Sequence, residues 1–257
     1  MKKPKPTRYL WSHRQEYLAD RSLGRWFRPL VGYLQSADLI NSRRPDLYVA
    51  ISRTVKERIK KYYQRNSLVI YPPVAIERFS SYSGPGDYFL VVSRLTGYKK
   101  VDLAVKAANE LRQKLLIVGR GREEAYWKKL AGPTVSFLGE VSETELTGLY
   151  QHCRALIMPQ EEDFGIAAVE AQAAGRPVIA FNQGGATETV IPGETGIFFK
   201  EATVDSLKAA MKQFESCSWD SRLIRSQAQK FKEGIFCQKI KKLVEEKCLT
   251  KNFRSKL

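Results

Sequence analysis

Two glutamates eight residues apart, Glu162 and Glu170, lie in the stretch MPQEEDFGIAAVEAQAAGRPVIAF, residues 158–181. Glu162 sits in an acidic triplet with Glu161 and Asp163, directly against a Phe164-Gly165 step. Glu170 is set inside a run of Ala and Val. A carboxylate among small apolar side chains is costly unless it has a partner, so the segment reads as a site. A helix beginning near Gly165 would leave Glu162 in the loop at its mouth and place Glu170 over a turn inside it, so that both can face one cleft. Amides around Phe164, Gly165 and Ile166 would point outward at the positive end of that helix, suited to oxygen-rich anionic ligands. Gly165 would also let a ligand approach the backbone. Arg94 and Lys99 follow an earlier apolar run, where two cations can clamp a diphosphate. Gly119 and Gly121 in GRG are a weak phosphate-loop pattern, since ordinary turns look the same.

Residues so far apart in sequence need a scaffold to meet, and the chain supplies a regular one from Tyr88 onward. Short runs rich in Val, Ile and Leu recur: YFLVVS (88–93), KLLIVG (114–119), TVSFLG (134–139), RALIMP (154–159), RPVIAF (176–181) and GIFF (196–199). Longer stretches between them mostly carry helical apolar spacing. Ser142 followed by Glu145 makes a capping box, and Gly175 can end the helix that begins near Gly165. Strands alternating with helices predict a parallel sheet covered on both faces, a doubly wound α/β domain. Ligands of such sheets sit at the carboxyl ends of the strands, which is where SRLTGYKK, GRGRE, PQEEDFG and NQGGATE fall.

Residues 1–82 differ: they read as basic and mostly helical, with at most two strands, LYVAIS and SLVIYPPV. SSYSGPGD (80–87) reads as a turn-rich boundary. Three segments are therefore expected: 1–82, a Rossmann-like domain over 83–218, and a basic helical tail over 219–257 whose apolar spacing suits docking. Of the 43 Lys and Arg and 27 Asp and Glu, the first 82 residues hold 17 and 6. A surface so basic suits anionic lipid, nucleic acid or a phosphorylated substrate, or simply solubility. No apolar run approaches a membrane span, and the N-terminal MKKPKP lacks the apolar stretch of a signal peptide, so the expected location is cytoplasmic. Cys153, Cys217, Cys237 and Cys248 form neither a zinc pattern nor a disulfide framework, and read as reduced thiols.

The set SRLTGYKKVDLAV, LLIVGRGRE, VSFLGEV, EDFGIAAVE and AAGRPVIAFNQGGATETV resembles the nucleotide-sugar-binding half of retaining GT-B glycosyltransferases of family four (group 1). RYLW, LYVAISRTVKERIKKYY and VIYPPV further resemble a bacterial, mannosyltransferase-like subgroup that acts in polysaccharide assembly. The resemblance implies that Arg94 and Lys99 bind the donor diphosphate, Glu162 the hydroxyls of the transferred sugar and Glu170 those of the ribose. Residues from Val135 to Val141, with Gly139 and Val141 among them, would border the base; Gly119 would line the donor site, and Gly184, Gly185 and Glu188 would shape its floor. It also implies retention of anomeric configuration with no metal or other cofactor, Glu162, Arg94 and Lys99 carrying the chemistry on this side. The expected donor is a nucleotide sugar, with GDP-mannose suggested by the subgroup, and the acceptor a glycan or lipid-linked sugar.

One departure stands out. GT-B enzymes have two Rossmann-like domains, and the first strands, the glycine-rich loop and the acceptor segments of the leading one would precede PTRYLW. The front is thus expected to be a truncated, mainly helical remnant, completed by a second chain or belonging to a donor-binding module without activity of its own. A peripheral role at the inner face of an anionic membrane fits the mixture of Trp11, Trp26, Phe27 and arginines. Nucleic-acid binding rests on charge alone and is not the expected partnership; it would show steep salt dependence.

Overall fold

The computed structural model describes residues 10–11, 28–79 and 84–254. The chain divides into two compact units, Met1–Tyr71 and Pro72–Leu257. The division falls before the turn-rich segment at 80–87 rather than inside it. The tail expected as a third piece belongs to the second unit. Both differences have one cause: Val74 pairs with Lys232 in a parallel bridge, and its amide donates to Phe231 O at 3.0 Å, which ties residues after Pro72 to the tail.

In the first unit α1 (Arg28–Asn41) is followed by β1 (Tyr48–Ala50), α2 (Arg53–Tyr63) and β2 (Ser67–Val69). β1 and β2 pair in parallel, with α2 as the crossover. Ser52 starts α2 by accepting from Val55 N, as an N-cap should. Tyr48, Ala50, Val55, Ile59 and Tyr63 form its core. Asp38 accepts from Trp11 Nε1 at 2.7 Å and from the Tyr63 hydroxyl at 2.8 Å. Two strands are present among the described residues, matching the expected maximum. Trp26, Phe27 and the rest of 12–27 lie outside the described residues.

The second unit opens with a 3-10 turn, Ile76–Phe79, and then alternates without interruption. Its elements are β3 (Tyr88–Val92), a 3-10 turn at Gly97–Lys99, α3 (Val101–Leu111), β4 (Lys114–Val118), α4 (Glu124–Leu130), β5 (Val135–Gly139) and α5 (Glu143–His152). They continue as β6 (Leu156–Met158), α6 (Ile166–Ala173), β7 (Val178–Phe181), α7 (Ala186–Thr189), β8 (Gly196–Phe199), α8 (Val204–Glu215), α9 (Ser221–Ala228) and α10 (Glu233–Arg254). The six strands from β3 to β8 are those the apolar runs predict. All pair in parallel, in the order β5-β4-β3-β6-β7-β8. Phe89, Leu90, Leu115, Ile117, Leu156, Ile157 and Ile179 are buried at its centre, as strands covered on both faces must be.

The order places a functional seam. The chain runs outward from β3 to β4 and β5, then returns to add β6, β7 and β8 on the other side of β3. β3 and β6 therefore flank the point where the winding reverses, and the loops leaving their carboxyl ends diverge into a crevice. Arg94 and Lys99 leave β3, and Glu162 leaves β6.

Local signals act as read. Ser142 Oγ accepts from Glu145 N while the Glu145 carboxylate accepts from Ser142 N, so the capping box is complete. Gly175, at φ +76°, follows α6 in the left-handed region that only glycine adopts cheaply.

Candidate active site at the switch point of the sheet

The Lys99 ammonium forms an ion pair with Glu162 Oε1 across the β3–β6 seam, and Gln160 Nε2 donates to the same oxygen at 2.8 Å. Both charged side chains are only partly exposed, at 13% for Lys99 and 20% for Glu162. Arg94, five residues before Lys99, is exposed and forms no ion pair among the described residues. One cation is thus spent on the acid of the neighbouring loop, and the other faces solvent at the same seam.

The acidic loop is held by the loop after β7. Glu162 bridges to Gly184, and the Gly185 amide donates to Glu162 O at 2.8 Å. A Cβ on Gly184 would lie 2.4 Å from Glu162 O, and one on Gly185 would lie 2.3 Å from Phe164 Cα. These glycines therefore let two backbones touch, which is what fixes the direction of Glu162. Phe164 is buried against Phe231, with ring centroids 5.4 Å apart, and anchors the loop from below. Gly165 begins α6 at φ +86°, and Ile166 stands exposed in its first turn.

Gly119 and Gly121 have a similar task. A Cβ on Gly119 would lie 2.0 Å from Ser93 O, and one on Gly121 2.1 Å from Leu95 O. Backbone bonds lace the loop after β4 to that after β3, Leu95 N to Arg120 O and Ser93 N to Val118 O, while Gly119 N donates to Gly139 O at the end of β5. Gly119 and Gly121 thus let the Arg94 loop lie close against the loop after β4. Val141 is not brought to the acids; it lines a groove with Tyr88, Leu138, Leu149 and His152.

Glu170 lies in α6, which is buried almost all round, and its side chain keeps 17% exposure. The Arg78 guanidinium forms an ion pair with its Oε1, and the Tyr150 hydroxyl donates to its Oε2 at 2.8 Å. Burial raises the Glu170 carboxyl above the ordinary carboxylate value, as does Glu143 to a lesser degree, while Tyr150 and Arg78 oppose the rise. Burial also pushes the Tyr150 hydroxyl well above its usual value, with Glu170 adding to the effect. Tyr150 therefore stays a donor.

Arg78 is positioned from three directions. Its guanidinium lies 4.8 Å from the centroid of the Phe79 ring, and Phe79 packs edge-on against Tyr150 at 5.7 Å. Arg225 of α9 donates to Phe79 O and, at 3.0 Å, to Ala173 O at the end of α6. Sequence reasoning assigned Arg78 to the front segment and missed it, together with Tyr150 and Gln160. Tyr150 was accessible: a tyrosine on the apolar side of an amphipathic helix needs a hydroxyl partner. Arg78 offered no such signal.

Among the described residues no group of three or more His, Cys, Asp and Glu could hold a metal ion. Among them, too, no helix is long and apolar enough to cross a membrane. Cys153, Cys217 and Cys237 are free thiols.

Residues 75–233 match the family described as Glycosyl transferases group 1. An uncharacterized glycosyltransferase of Methanocaldococcus jannaschii is 28% identical over 171 residues, which cover 63% of this chain and 48% of that protein. A glycogen synthase of Mycobacterium tuberculosis is 34% identical over 141 residues, covering 51% of this chain and 34% of the synthase. The chain thus spans about half or less of the length of these relatives. Among solved structures, the lipopolysaccharide outer core galactosyltransferase WaaB superposes with a TM-score of 0.67 at 22% identity, over 79% of this chain and 62% of that one. The Anabaena protein HepE, in complex with UDP-glucose, superposes at 0.71 and 20% identity, over 82% and 67%. Such structural likeness establishes a shared GT-B-type fold. The family match, covering more than half of the chain and all of the seam between β3 and β6, establishes descent: this chain is a member of the group 1 glycosyltransferases.

Proposed function

We propose that the chain binds a nucleoside-diphosphate sugar at the carboxyl edge of its parallel sheet and acts in transfer of the sugar, a hexose, to a glycan or lipid-linked acceptor. The observation that supports it best is the meeting of Lys99 and Glu162 across the β3–β6 seam, beside an exposed Arg94. In this reading Arg94 and Lys99 engage the diphosphate and stabilise the departing nucleotide, a charge that otherwise calls for a metal ion. Glu162 accepts hydrogen bonds from the sugar hydroxyls and Glu170 from the ribose. Entry of the diphosphate would draw Lys99 from Glu162, releasing the carboxylate to the sugar.

Retention of configuration, independence of metals and mannose as the sugar come from the sequence resemblance. That HepE is in complex with UDP-glucose keeps uracil and glucose in the comparison. A location at the cytoplasmic face of an anionic membrane would suit a lipid-linked acceptor and the basic first 82 residues. A second reading is a donor-binding subunit that acts in transfer with another polypeptide; the described residues of the first unit hold a two-stranded parallel sheet.

The test is a thermal-shift screen with GDP, UDP, ADP and their hexose conjugates, in EDTA and then with magnesium. A rise selective for one base and unaffected by EDTA is expected. No rise with any of these ligands would remove the donor-site reading.

A further inference from the structure

Glu170 carries two partners that the donor-site reading does not require. Its carboxylate has about four acceptor positions, of which Arg78 and Tyr150 take one on each oxygen. Tyr150 is fully buried and cannot follow a ligand. Arg78 keeps 23% exposure and Glu170 17%, so the pair borders solvent while its supports do not. Arg225, Phe79, Val74 and Phe231 lock the turn that carries Arg78 to α6 and to the tail.

A structural ion pair would need none of this. A buried pair contributes little net stability compared with apolar residues of similar volume, since desolvating the ions offsets their attraction. Fixing both oxygens has another effect: it removes the rotational freedom of the carboxylate, so that acceptor positions remain in defined directions for a ligand.

We propose that Arg78 is a positioning residue for the ribose of the donor, holding Glu170 in register with Tyr150 so that its remaining acceptor positions meet a ribose hydroxyl. The proposal rests on the donor-site reading and names what that reading lacks, the group outside the sheet that makes Glu170 selective. It gives the tail a function too, because Arg225 and Phe231 hold the turn. The ligand chemistry is a vicinal diol on a nucleoside diphosphate; a 2′-deoxy nucleotide offers one hydroxyl fewer and is discriminated against.

The experiment is titration calorimetry of the whole chain with UDP, GDP and their 2′-deoxy counterparts, on wild type, Arg78→Met, Arg78→Gln and Arg94→Ala. Melting curves accompany each variant. Wild type is expected to prefer the ribonucleotide on the order of tenfold, the scale of one hydrogen bond to a charged group. Arg78→Met brings that ratio close to one by weakening the ribonucleotide. Arg94→Ala weakens both forms together and keeps the ratio. Arg78→Gln, the gentler change if the methionine variant does not fold, lowers the ratio several-fold. A folded Arg78 variant with the wild-type ratio overturns the role of Arg78 and leaves the donor site standing. Wild type that binds neither UDP nor GDP overturns the donor-site reading and the proposal together, whereas wild type that binds ribo and deoxy forms equally overturns the ribose role of Glu170, and the proposal with it, and leaves the diphosphate site standing.

Discussion

Glu162 and Glu170 are both carboxylates paired with a cation, yet they are built differently. Glu162 is held by neighbours at the carboxyl edge of the sheet: Lys99 from the loop after β3, Gln160 two residues before it, and the backbone of Gly184 and Gly185. Glu170 is held by groups from outside the sheet, Arg78 on a turn that precedes β3 and Tyr150 on α5. The first arrangement depends on loop geometry. The second is locked into the packing of α6, α9 and the Phe79–Tyr150 pair. In the proposed reading the first acid changes partners when a donor binds, whereas the other is preset.

Removing the preset acid should have the largest effect. Glu170→Ala leaves Arg78 and the buried Tyr150 hydroxyl without their acceptor, and is expected to destabilise the fold by about 3 kcal/mol and abolish ribose selectivity. Urea unfolding checks the first; a loss under 1 kcal/mol, on the scale of an exposed pair, would erase the distinction between the two acids. Next comes Gly185→Ala, whose Cβ meets Phe164 backbone. Forcing the two loops apart should cost about 2 kcal/mol and weaken binding of the sugar conjugate more than of the free diphosphate. Equal weakening of both ligands would detach the glycine from Glu162.

Arg94→Ala should leave the melting temperature within a degree or so of wild type, because the side chain is exposed, and weaken nucleotide binding by about 1–3 kcal/mol. A shift in stability without one in binding would reverse its role. Ser142→Ala acts at the start of α5, the helix that carries Tyr150: loss of the capping box should cost about 1 kcal/mol in urea unfolding.

The smallest effect concerns pH. Burial keeps the Glu170 carboxyl above the ordinary value, so the folded chain holds that proton more tightly than the unfolded one. As pH falls from the folded value toward the ordinary one, protonation should stabilise the fold while withdrawing the acceptor from ribose. Stability and nucleotide affinity then move in opposite directions within that window, and Glu170→Gln should remove both trends. Parallel decline of the two in wild type would place the titrating group elsewhere.

The six strands of the large sheet were legible because parallel strands covered on both faces read as short apolar runs, and the helices between them carry their own punctuation in Ser142 and Gly175. Lys99 and Glu162 were legible for the same reason: they follow strands, and ligands gather there. What escaped was the supporting layer. Arg78 lies in VAIERF, near the start of the second unit, where no periodicity assigns it a face, and its partner is 92 residues away. Gly119 drew notice as a possible phosphate loop, but the structure gives it a backbone-packing task that leaves no mark in composition. The sequence marks a boundary at the turn-rich stretch near 82, whereas the compact units divide at Pro72, just before Val74, which pairs with Lys232.

The central claim is that the seam between β3 and β6 reads a diphosphate with one group and a sugar with another. Calorimetry of wild type and Glu162→Gln with a nucleoside diphosphate and its hexose conjugate tests it most directly. The account predicts that the variant binds the free diphosphate as wild type does and loses on the order of tenfold for the conjugate. Equal affinity of both proteins for the conjugate, or equal loss for both ligands, would contradict it.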